Sequence, residues 1–511
     1  MGNVTVSDLL RNAATRWPQR TAYIYAALRP TWAETERRVA ALAAGLQAKG
    51  IGRGDVVATC SSDGPVLVET MLAAARIGAV RVGINYRLSR EEAGRLLEHS
   101  QAKLFLVQHD YRELAGDAAK SLEVLDVGDA QSDQGDYANL LTTSPLTDVP
   151  VVDDGELAQI CYTTGSTGNP KGALWTHRAM IHAMGHTLLE LGFQRDETWL
   201  HCFPGAGVPC LFTLWNTLQG FTSVIMPRFE PGAALDLIEA HGVTRVILVP
   251  TMLSAMCIDQ EARARNVSTL RCISYGSAPT PPALVRRAAA NFPGVDLEQW
   301  YGSTEGVGGW FAQLPPEDHA RALAGEEWLL KTCGRAMHHA RIRVLDDRSR
   351  DCKLGEVGEV CISGAFLMSG YHREPELSAR TIRDGWLHTG DMGHLDENGY
   401  LSLVDRKQFM IITGGYNVYP VEVENAIAEH PAVLECCVFG IPDEKWGEAV
   451  YALVVARKDR AVSPDELMDW CRERLATFKV PKGIELRTEL LKGATGKILK
   501  RAERDRYWPR T

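Results

Sequence analysis

A glycine-rich segment in the first third of the chain carries residues suited to binding phosphate. The segment from Tyr162 to Gly172 reads YTTGSTGNPKG and holds three glycines and five hydroxyl-bearing residues. A glycine-rich turn lets backbone N–H groups face a polyphosphate, while hydroxyls add donors and a lysine adds positive charge. The phosphate-binding residues expected from this pattern are Thr163, Thr164, Gly165, Ser166, Thr167, Gly168 and Lys171. The residue order differs from G-x-x-x-x-G-K-[ST], so the loop alone does not name an enzyme class.

Four further short segments follow this loop along the chain. They are YGSAP from Tyr275, YGSTE from Tyr301, TGD from Thr389 and ATGKILK from Ala494. Together with the loop, they resemble the motifs of the AMP-forming adenylating superfamily, which includes acyl-CoA synthetases, adenylation domains of peptide synthetases and beetle luciferases. The resemblance extends over practically the whole chain and is closest to the acyl-CoA ligases. It implies that the chain uses ATP, Mg²⁺ and coenzyme A.

The resemblance also implies roles for the residues around the nucleotide. Tyr301 is expected to stack on adenine, and Asp391 and Arg406 to bind the ribose hydroxyls. Thr304 is expected to bind the α-phosphate and, together with Glu305, to hold Mg²⁺, a cation that prefers carboxylate and phosphate oxygens. The other residues expected to contact the nucleotide are Ser277, Ala278, Pro279 and Gly302. A lone glutamate is more often a solvated surface residue, and only its place in the motif favours the metal role for Glu305.

Two segments near the C-terminus resemble motifs of the family's small domain that take part in the reaction. Lys497 matches the lysine that bridges the substrate carboxylate and the α-phosphate, where it neutralises charge as the two anions approach. The resemblance thus makes Lys497, Glu305 and Thr304 the catalytic residues. The segment IITGGYNVYPVEVE resembles the loop that lines the pantetheine tunnel, with Gly414 and Gly415 allowing close approach to the thiol.

The elements that position these motifs alternate along the chain. Helical patterns and short apolar runs, such as the predicted strand from Val56 to Cys60, indicate an α/β architecture. We expect a large N-terminal domain of α/β subdomains plus a β subdomain at residues 1–404, and a small mobile α+β domain at residues 409–511. The charged run at residues 405–408 is expected to be the hinge. The polar stretch from Ser132 to Pro150 is typical of a surface connection.

The expected acid pocket lacks charged residues. No charge occurs in YGSAP or in the run Gly306 to Trp310, which disfavours an amino acid substrate. Where many acyl-CoA synthetases carry a histidine, this chain has Gly207, which predicts either an unusually open pocket or one that a neighbouring loop fills. The residues expected to contact the acid are Gly207, Pro250, Gly276, Gly302 and Gly306. A hydrophobic acid is therefore predicted, either fatty, aryl or bulky and polycyclic.

Three other functions remain open from the sequence. The frequent Pro-Lys-Thr before the catalytic lysine loop is replaced by Leu491, Lys492 and Gly493, which leaves open a ligase that performs mainly the thioester step on a preformed acyl-adenylate. The retained Lys497, Glu305 and phosphate loop argue against this alternative. A stand-alone enzyme that loads a carrier protein would use the same site, although no carrier domain is seen before Thr511. A non-catalytic nucleotide-binding protein is disfavoured because Lys497, Glu305 and Asp391 are all retained.

The composition sets broader limits. The 511 residues are 45% hydrophobic and 23% charged, which is typical of a globular chain that needs more than one domain. The net charge of −9 argues against a nucleic-acid-coating protein, and no apolar run reaches the roughly 18 to 20 residues of a membrane span. The twelve cysteines form no Cys-x-x-Cys pair, so we expect neither a zinc site nor a disulfide framework. These features predict a cytoplasmic enzyme acting on small molecules.

Overall fold

A computed structural model gives the fold of the chain. It describes residues 4–128, 135–146, 149–163, 171–192, 196–406, 409–414, 416–458, 460–493 and 497–508. No helix within these ranges is both long enough and apolar enough to cross a lipid bilayer.

Helices begin at positions where local chemistry favours them. They are α1 (Val6–Arg16), α2 (Trp32–Ala48), α3 (Pro65–Arg76), α4 (Arg90–Ser100), α5 (Gly135–Leu141), α6 (His177–Glu190), α7 (Cys210–Gln219), α8 (Pro231–His241), α9 (Pro250–Ala262), α10 (Pro282–Asn291), α11 (Pro316–Leu323), α12 (Pro375–Thr381), α13 (Pro420–Ala428), α14 (Pro464–Arg474) and α15 (Lys500–Arg504). Short 3₁₀ helices span His109–Lys120, Thr304–Gly306 and Glu327–Lys331. Thr31 and Glu34 cap the start of α2 reciprocally, and a proline opens several other helices because its missing N–H is not needed there.

The strands form four sheets. They are β1 (Tyr23–Ile24), β2 (Val56–Cys60), β3 (Val80–Gly83), β4 (Leu104–Val107), β5 (Glu123–Asp126), β6 (Leu157–Thr163), β7 (Lys171–Thr176), β8 (Thr198–His201), β9 (Thr222–Ile225), β10 (Arg245–Leu248), β11 (Cys272–Gly276), β12 (Asp296–Gly302), β13 (Trp310–Leu314), β14 (Arg335–Ala336), β15 (Arg341–Leu345), β16 (Gly358–Ser363), β17 (Ile382–Arg383), β18 (Trp386–Leu395), β19 (Leu401–Arg406), β20 (Ile411–Thr413), β21 (Tyr416–Val418), β22 (Val433–Asp443), β23 (Gly447–Ala456) and β24 (Gly483–Arg487).

The two largest sheets are mostly parallel. The first has the order β5-β4-β2-β3-β6-β7, and only its β6–β7 pair is antiparallel. The second has the order β1-β9-β8-β10-β11-β12-β13-β14 and is parallel from β1 to β12. Loops at the carboxyl ends of the two sheets meet, because Asp63, beyond β2, accepts a hydrogen bond from the backbone N–H of Gly205, beyond β8. In open α/β sheets this is the edge at which ligands bind.

Two smaller sheets complete the fold. One is antiparallel, with the order β15-β16-β18-β17 and β19 paired to β18. The other has the order β21-β20-β23-β22, with β24 parallel to β23, and its apolar residues form two clusters of their own. The fold is therefore mixed α/β with a large N-terminal part and a small C-terminal part, as the sequence predicts.

Most of the elements predicted from the sequence are confirmed, including the strand from Val56 to Cys60. The prediction of a plain surface connection at Ser132 to Pro150 is wrong, because this stretch contains α5 with Tyr137 and Leu140 buried. The Tyr137 hydroxyl donates to the buried Glu69 carboxylate at 2.6 Å, which anchors α5. The predicted hinge at 405–408 begins inside a strand, since β19 continues to Arg406.

Candidate active site

The predicted phosphate loop joins two antiparallel strands. Thr163 at the end of β6 pairs with Lys171 at the start of β7, so the two ends of the loop are held side by side. The helix expected after the loop does begin at His177, but β7 lies between them, so the loop is not at a helix N-terminus. The predicted residues Thr164, Gly165, Ser166, Thr167 and Gly168 lie outside the described residues.

Tyr301 and Asp391, which are 90 positions apart in the chain, meet at one point. The Tyr301 hydroxyl at the end of β12 donates to Asp391 Oδ2 on β18 at 2.7 Å. Burial, and then the neighbouring Asp391 carboxylate, raise the pKa of Tyr301 well above its ordinary value, so the phenol stays protonated as a donor. The structure thus brings together the residues predicted to contact adenine and ribose.

The Asp391 carboxylate is fixed by the turn that precedes it. The Thr389 hydroxyl accepts the backbone N–H of Asp391 at 3.0 Å, and Gly390 adopts the left-handed conformation with φ of 74°. The backbone of Arg406 on β19 pairs with Asp391, which places the two predicted ribose-binding positions opposite each other. A carboxylate held in this way can accept hydrogen bonds from both hydroxyls of a diol.

Thr304 and Glu305 lie in the short 3₁₀ helix directly after the strand that carries Tyr301. Glu305 Oε1 accepts a hydrogen bond from the hydroxyl of Tyr371 at 2.7 Å, and Thr304 O accepts one from Trp175 Nε1 at 3.0 Å. Trp175 belongs to β7, so the strand that follows the phosphate loop and these two residues are held relative to each other. A partly exposed carboxylate at this point is the hard oxygen donor that Mg²⁺ prefers, so the donor set fits the predicted metal.

The glycines predicted to line an open acid slot are explained by close packing. A Cβ atom at Gly276 would lie 2.3 Å from the carbonyl oxygen of Trp300, and one at Gly302 would lie 2.5 Å from the carbonyl oxygen of Gly309. At Gly306 the same space is filled by the ring of Phe311. These glycines are thus required by neighbouring protein atoms, and the idea that they leave space at the entrance of a slot is not supported.

The other predicted positions beside the acid pocket differ in their surroundings. Of the residues that the structure describes, only Pro209 would lie within 4 Å of a Cβ atom at Gly207, so these residues leave space beside Gly207. Pro250 is buried at the first position of α9. The residues Ser277, Ala278 and Pro279 follow β11 at the carboxyl edge of the second sheet, where Ser277 is exposed with φ of 68°.

The loop that contains Gly207 is held by two buried charged residues that the sequence does not reveal. The guanidinium of Arg81 donates to the carbonyl oxygens of Gly205 at 3.1 Å and Ala206 at 3.4 Å. Asp63 Oδ1 accepts the backbone N–H of Gly205. Burial raises the pKa of Asp63 well above its ordinary value and lowers that of Arg81. The first sheet therefore anchors a loop of the second.

The predicted residues of the C-terminal part make contacts within that part. The carbonyl of Lys497 accepts the backbone N–H of Gly493 at 2.8 Å, and its side chain is exposed. Gly414 has φ of 56° and donates its backbone N–H to the carbonyl of Trp446 at 2.8 Å. A side chain at Gly414 would collide with the Trp446 ring, so a glycine is needed there. Gly415 lies outside the described residues.

Side chains suited to binding a nucleotide thus meet near the carboxyl edge of the mostly parallel second sheet, which is the arrangement expected of a nucleotide-dependent enzyme. Comparison with family models narrows this class. Residues 10–372 match the AMP-binding enzyme family, and residues 422–497 match the AMP-binding enzyme C-terminal domain. The chain therefore belongs to the AMP-binding enzyme family.

Individual relatives and solved structures agree with this membership. A feruloyl-CoA synthase from an Amycolatopsis species is 36% identical over 96% of this chain and 96% of that protein. The fatty acid–[acyl-carrier-protein] ligase ScoC of Streptomyces coeruleorubidus is 33% identical, covering 94% of this chain and 92% of its own length. The o-succinylbenzoate CoA synthetase of Bacillus subtilis, solved with its acyl-adenylate intermediate, is 28% identical with a TM-score of 0.85 and covers 96% of both chains. Another structure of that enzyme contains ATP and a magnesium ion, with a TM-score of 0.85, 28% identity and coverage of 97% and 99%.

Proposed function

We propose that this chain, an AMP-forming acid:CoA ligase, activates a hydrophobic carboxylic acid, foremost an aryl acid, and transfers its acyl group to coenzyme A. The proposal rests on two hydrogen bonds beside one sheet edge, from Tyr301 to Asp391 and from Tyr371 to Glu305. This arrangement fits a nucleotide whose ribose and phosphates lie along that edge. The aryl preference rests on the relatives, two of which carry aromatic acids in their names.

In the first half-reaction the substrate carboxylate attacks the α-phosphorus of ATP and pyrophosphate leaves. Asp391 orients the ribose, and Tyr301 fixes the Asp391 carboxylate. Thr304 and Glu305 would hold Mg²⁺, which supplies positive charge to the polyphosphate when bound. Lys497 neutralises the charge of the approaching carboxylate, and such positioned cations act mainly by electrostatic stabilisation of the transition state.

In the second half-reaction the thiol of coenzyme A attacks the acyl carbon and AMP leaves. We propose a large domain at residues 1–404, a hinge at 405–408 and a small domain at 409–511, which alternates between two poses. One pose would bring Lys497 to the nucleotide, and the other would bring Gly414 and Gly415 to the thiol. We further propose a cytoplasmic location, which agrees with cysteines that form no disulfide within the described residues.

The experiment follows pyrophosphate release and thioester formation separately, with ATP, Mg²⁺, coenzyme A and a panel of aryl and fatty acids. Wild type should give both products, and Lys497→Ala should lose pyrophosphate release while still forming thioester from a synthetic acyl-adenylate. If wild type releases no pyrophosphate with any acid but uses the synthetic acyl-adenylate, the enzyme performs mainly the thioester step.

A carrier protein is a second candidate acceptor, favoured by the likeness to ScoC. Coenzyme A and a phosphopantetheine-loaded carrier protein should therefore be offered in parallel with the same acid. Thioester formation on the carrier at a rate well above that on coenzyme A would reject coenzyme A as the main acceptor.

A further inference from the structure

One buried histidine beside the predicted acid pocket lacks the partners that its ring needs. His186 on α6 is fully buried, and neither of its ring nitrogens has a hydrogen-bond partner among the described residues. Buried polar atoms are nearly always paired, because they have given up their hydrogen bonds to water. The unpaired imidazole therefore has a donor and an acceptor available to a ligand.

The position of His186 links it to the catalytic turn. Its Nε2 atom lies 3.4 Å from the point where a Cβ atom on Gly309 would stand. Gly309 donates its backbone N–H to the carbonyl of Gly306 at 2.8 Å, and this turn follows Glu305 directly. A side chain at Gly308 would lie 2.7 Å from Val208, so the same turn packs against the loop that contains Gly207.

A row of aromatic rings connects the nucleotide residue Tyr301 with His186. Tyr301 contacts Phe311 with ring centroids 5.5 Å apart, and Phe311 stacks on Phe366 at 5.8 Å. Phe366 stacks in turn on the His186 ring at 4.7 Å with 21° between the planes. Aromatic rings thus border His186 on this side and His339 stacks on it as well, with ring centroids 6.2 Å apart. The ring nitrogens of His186 are the polar atoms at the end of the row.

We propose that His186 forms a polar subsite beside the Gly306–Gly309 turn and hydrogen-bonds a hydroxyl or ether oxygen on the ring of an aryl acid. The inference rests on the proposed function, since it requires an aryl acid that extends along the Gly306–Gly309 turn. It refines that function from apolar aryl acids to aryl acids with a polar ring substituent.

The protonation state of the ring supports this choice of substituent. Burial, and then the neighbouring His339 and His182, lower the pKa of His186 to about 4, so the ring is neutral near pH 7. A neutral imidazole has one donor nitrogen and one acceptor nitrogen. A hydroxyl can bond to either nitrogen, and an ether oxygen can accept from the donor.

The test compares kcat/KM for matched acids: cinnamic acid against 4-hydroxycinnamic acid, and benzoic acid against 3- and 4-hydroxybenzoic acid. Wild type should prefer one hydroxylated acid by about tenfold or more, because its hydroxyl pairs with a ring that is otherwise unpaired. His186→Phe, which can still stack on Phe366, should bring this ratio close to one. His186→Gln, which keeps a donor and an acceptor, should retain part of the preference.

A matched control is His319→Phe, which removes another buried histidine. His319 already bonds the hydroxyl of Tyr275 at 2.7 Å, so its loss should leave the ratio unchanged. Turnover of the unhydroxylated acid shows that each variant is folded. An equal ratio in wild type and His186→Phe overturns the inference while leaving the aryl-acid ligase intact. Pyrophosphate release with none of the aryl acids would instead reject the proposed function.

Discussion

Replacing Arg81 with methionine tests whether the first sheet positions the acid pocket. Arg81 is fully buried, and its guanidinium donates to Thr59 at 3.1 Å and Gln159 at 3.2 Å as well as to the carbonyls of Gly205 and Ala206. The loop also lies tightly on β3, where a side chain at Gly83 would overlap the Ala206 carbonyl. Arg81→Met keeps much of the side-chain volume but removes every donor.

The expected loss of stability follows from the two carbonyls left unpaired. Each buried unpaired acceptor costs about 1 to 3 kcal/mol, which gives about 2 to 6 kcal/mol for the carbonyls of Gly205 and Ala206. Removing a buried charge offsets part of this, because burial already disfavours the Arg81 cation. We therefore expect the free energy of unfolding to fall by about 3 kcal/mol, measured from the urea midpoint.

Measuring the KM for each substrate separates an effect on acid binding from an effect on ATP binding. Because the released loop carries Gly207, the KM for the acid should rise about tenfold or more, while the KM for ATP should stay within about twofold. Arg245→Met is the matched control, since Arg245 is also buried but pairs with Glu298 at 2.6 Å in the second sheet. That variant should lose stability without a selective change in the KM for the acid. Equal changes in both KM values for Arg81→Met, or an unchanged urea midpoint, would refute the reasoning.

Three further predictions address the carboxylate proposed to hold Mg²⁺, a buried histidine and two glycines. Glu305→Gln should lower the rate of pyrophosphate release at saturating ATP about 100-fold or more, whereas Tyr371→Phe should cost less than about tenfold; similar losses would contradict the metal role. Burial lowers the pKa of His201 to about 3, so below pH 6.5 the proton binds the unfolded chain first. This residue should therefore lower the free energy of unfolding by about 1.4 kcal/mol for each unit by which the pH falls. In His201→Phe the urea midpoint should change less between pH 7 and pH 5 than in wild type. Gly276→Ala, whose Cβ would lie 2.3 Å from a carbonyl oxygen, should lose about 2 kcal/mol or more, while Gly207→Ala should stay within about 0.5 kcal/mol and change only acid preference. Equal urea midpoints for the two glycine variants would show that the packing argument is wrong.

The parts of the fold that the sequence predicts are those with a local pattern. The strand from Val56 to Cys60 is a continuous apolar run, and the helix at His177 has a threonine cap before it. The sequence does not predict α5, which has only seven residues and whose Tyr137 hydrogen-bonds Glu69, 68 positions earlier in the chain. Local composition cannot reveal such a contact.

The same division applies to the site. Asp391 and Glu305 lie in short motifs, so the sequence finds them before any geometry is known. Tyr371, which bonds Glu305, and Asp63, which anchors the loop before Gly207, lie in no motif and become visible only through contacts between distant segments. The sequence gives no signal for His186, because it does not show which histidines are buried or which of them lack a protein partner.

This contrast explains why family membership predicts the reaction more firmly than the substrate. The residues expected to bind the nucleotide lie at strand ends and in one turn, where a few fixed positions suffice to bind a ligand. In the proposed function the acid would lie on the other side of that turn, and the neighbouring loop is held by Arg81 from another sheet. Substitutions in the first sheet can therefore shift acid selection without touching the ATP site, and residues such as His186 can set which ring substituents are accepted. Acid preference should accordingly follow the packing around Gly207 and Gly309 rather than the motifs themselves.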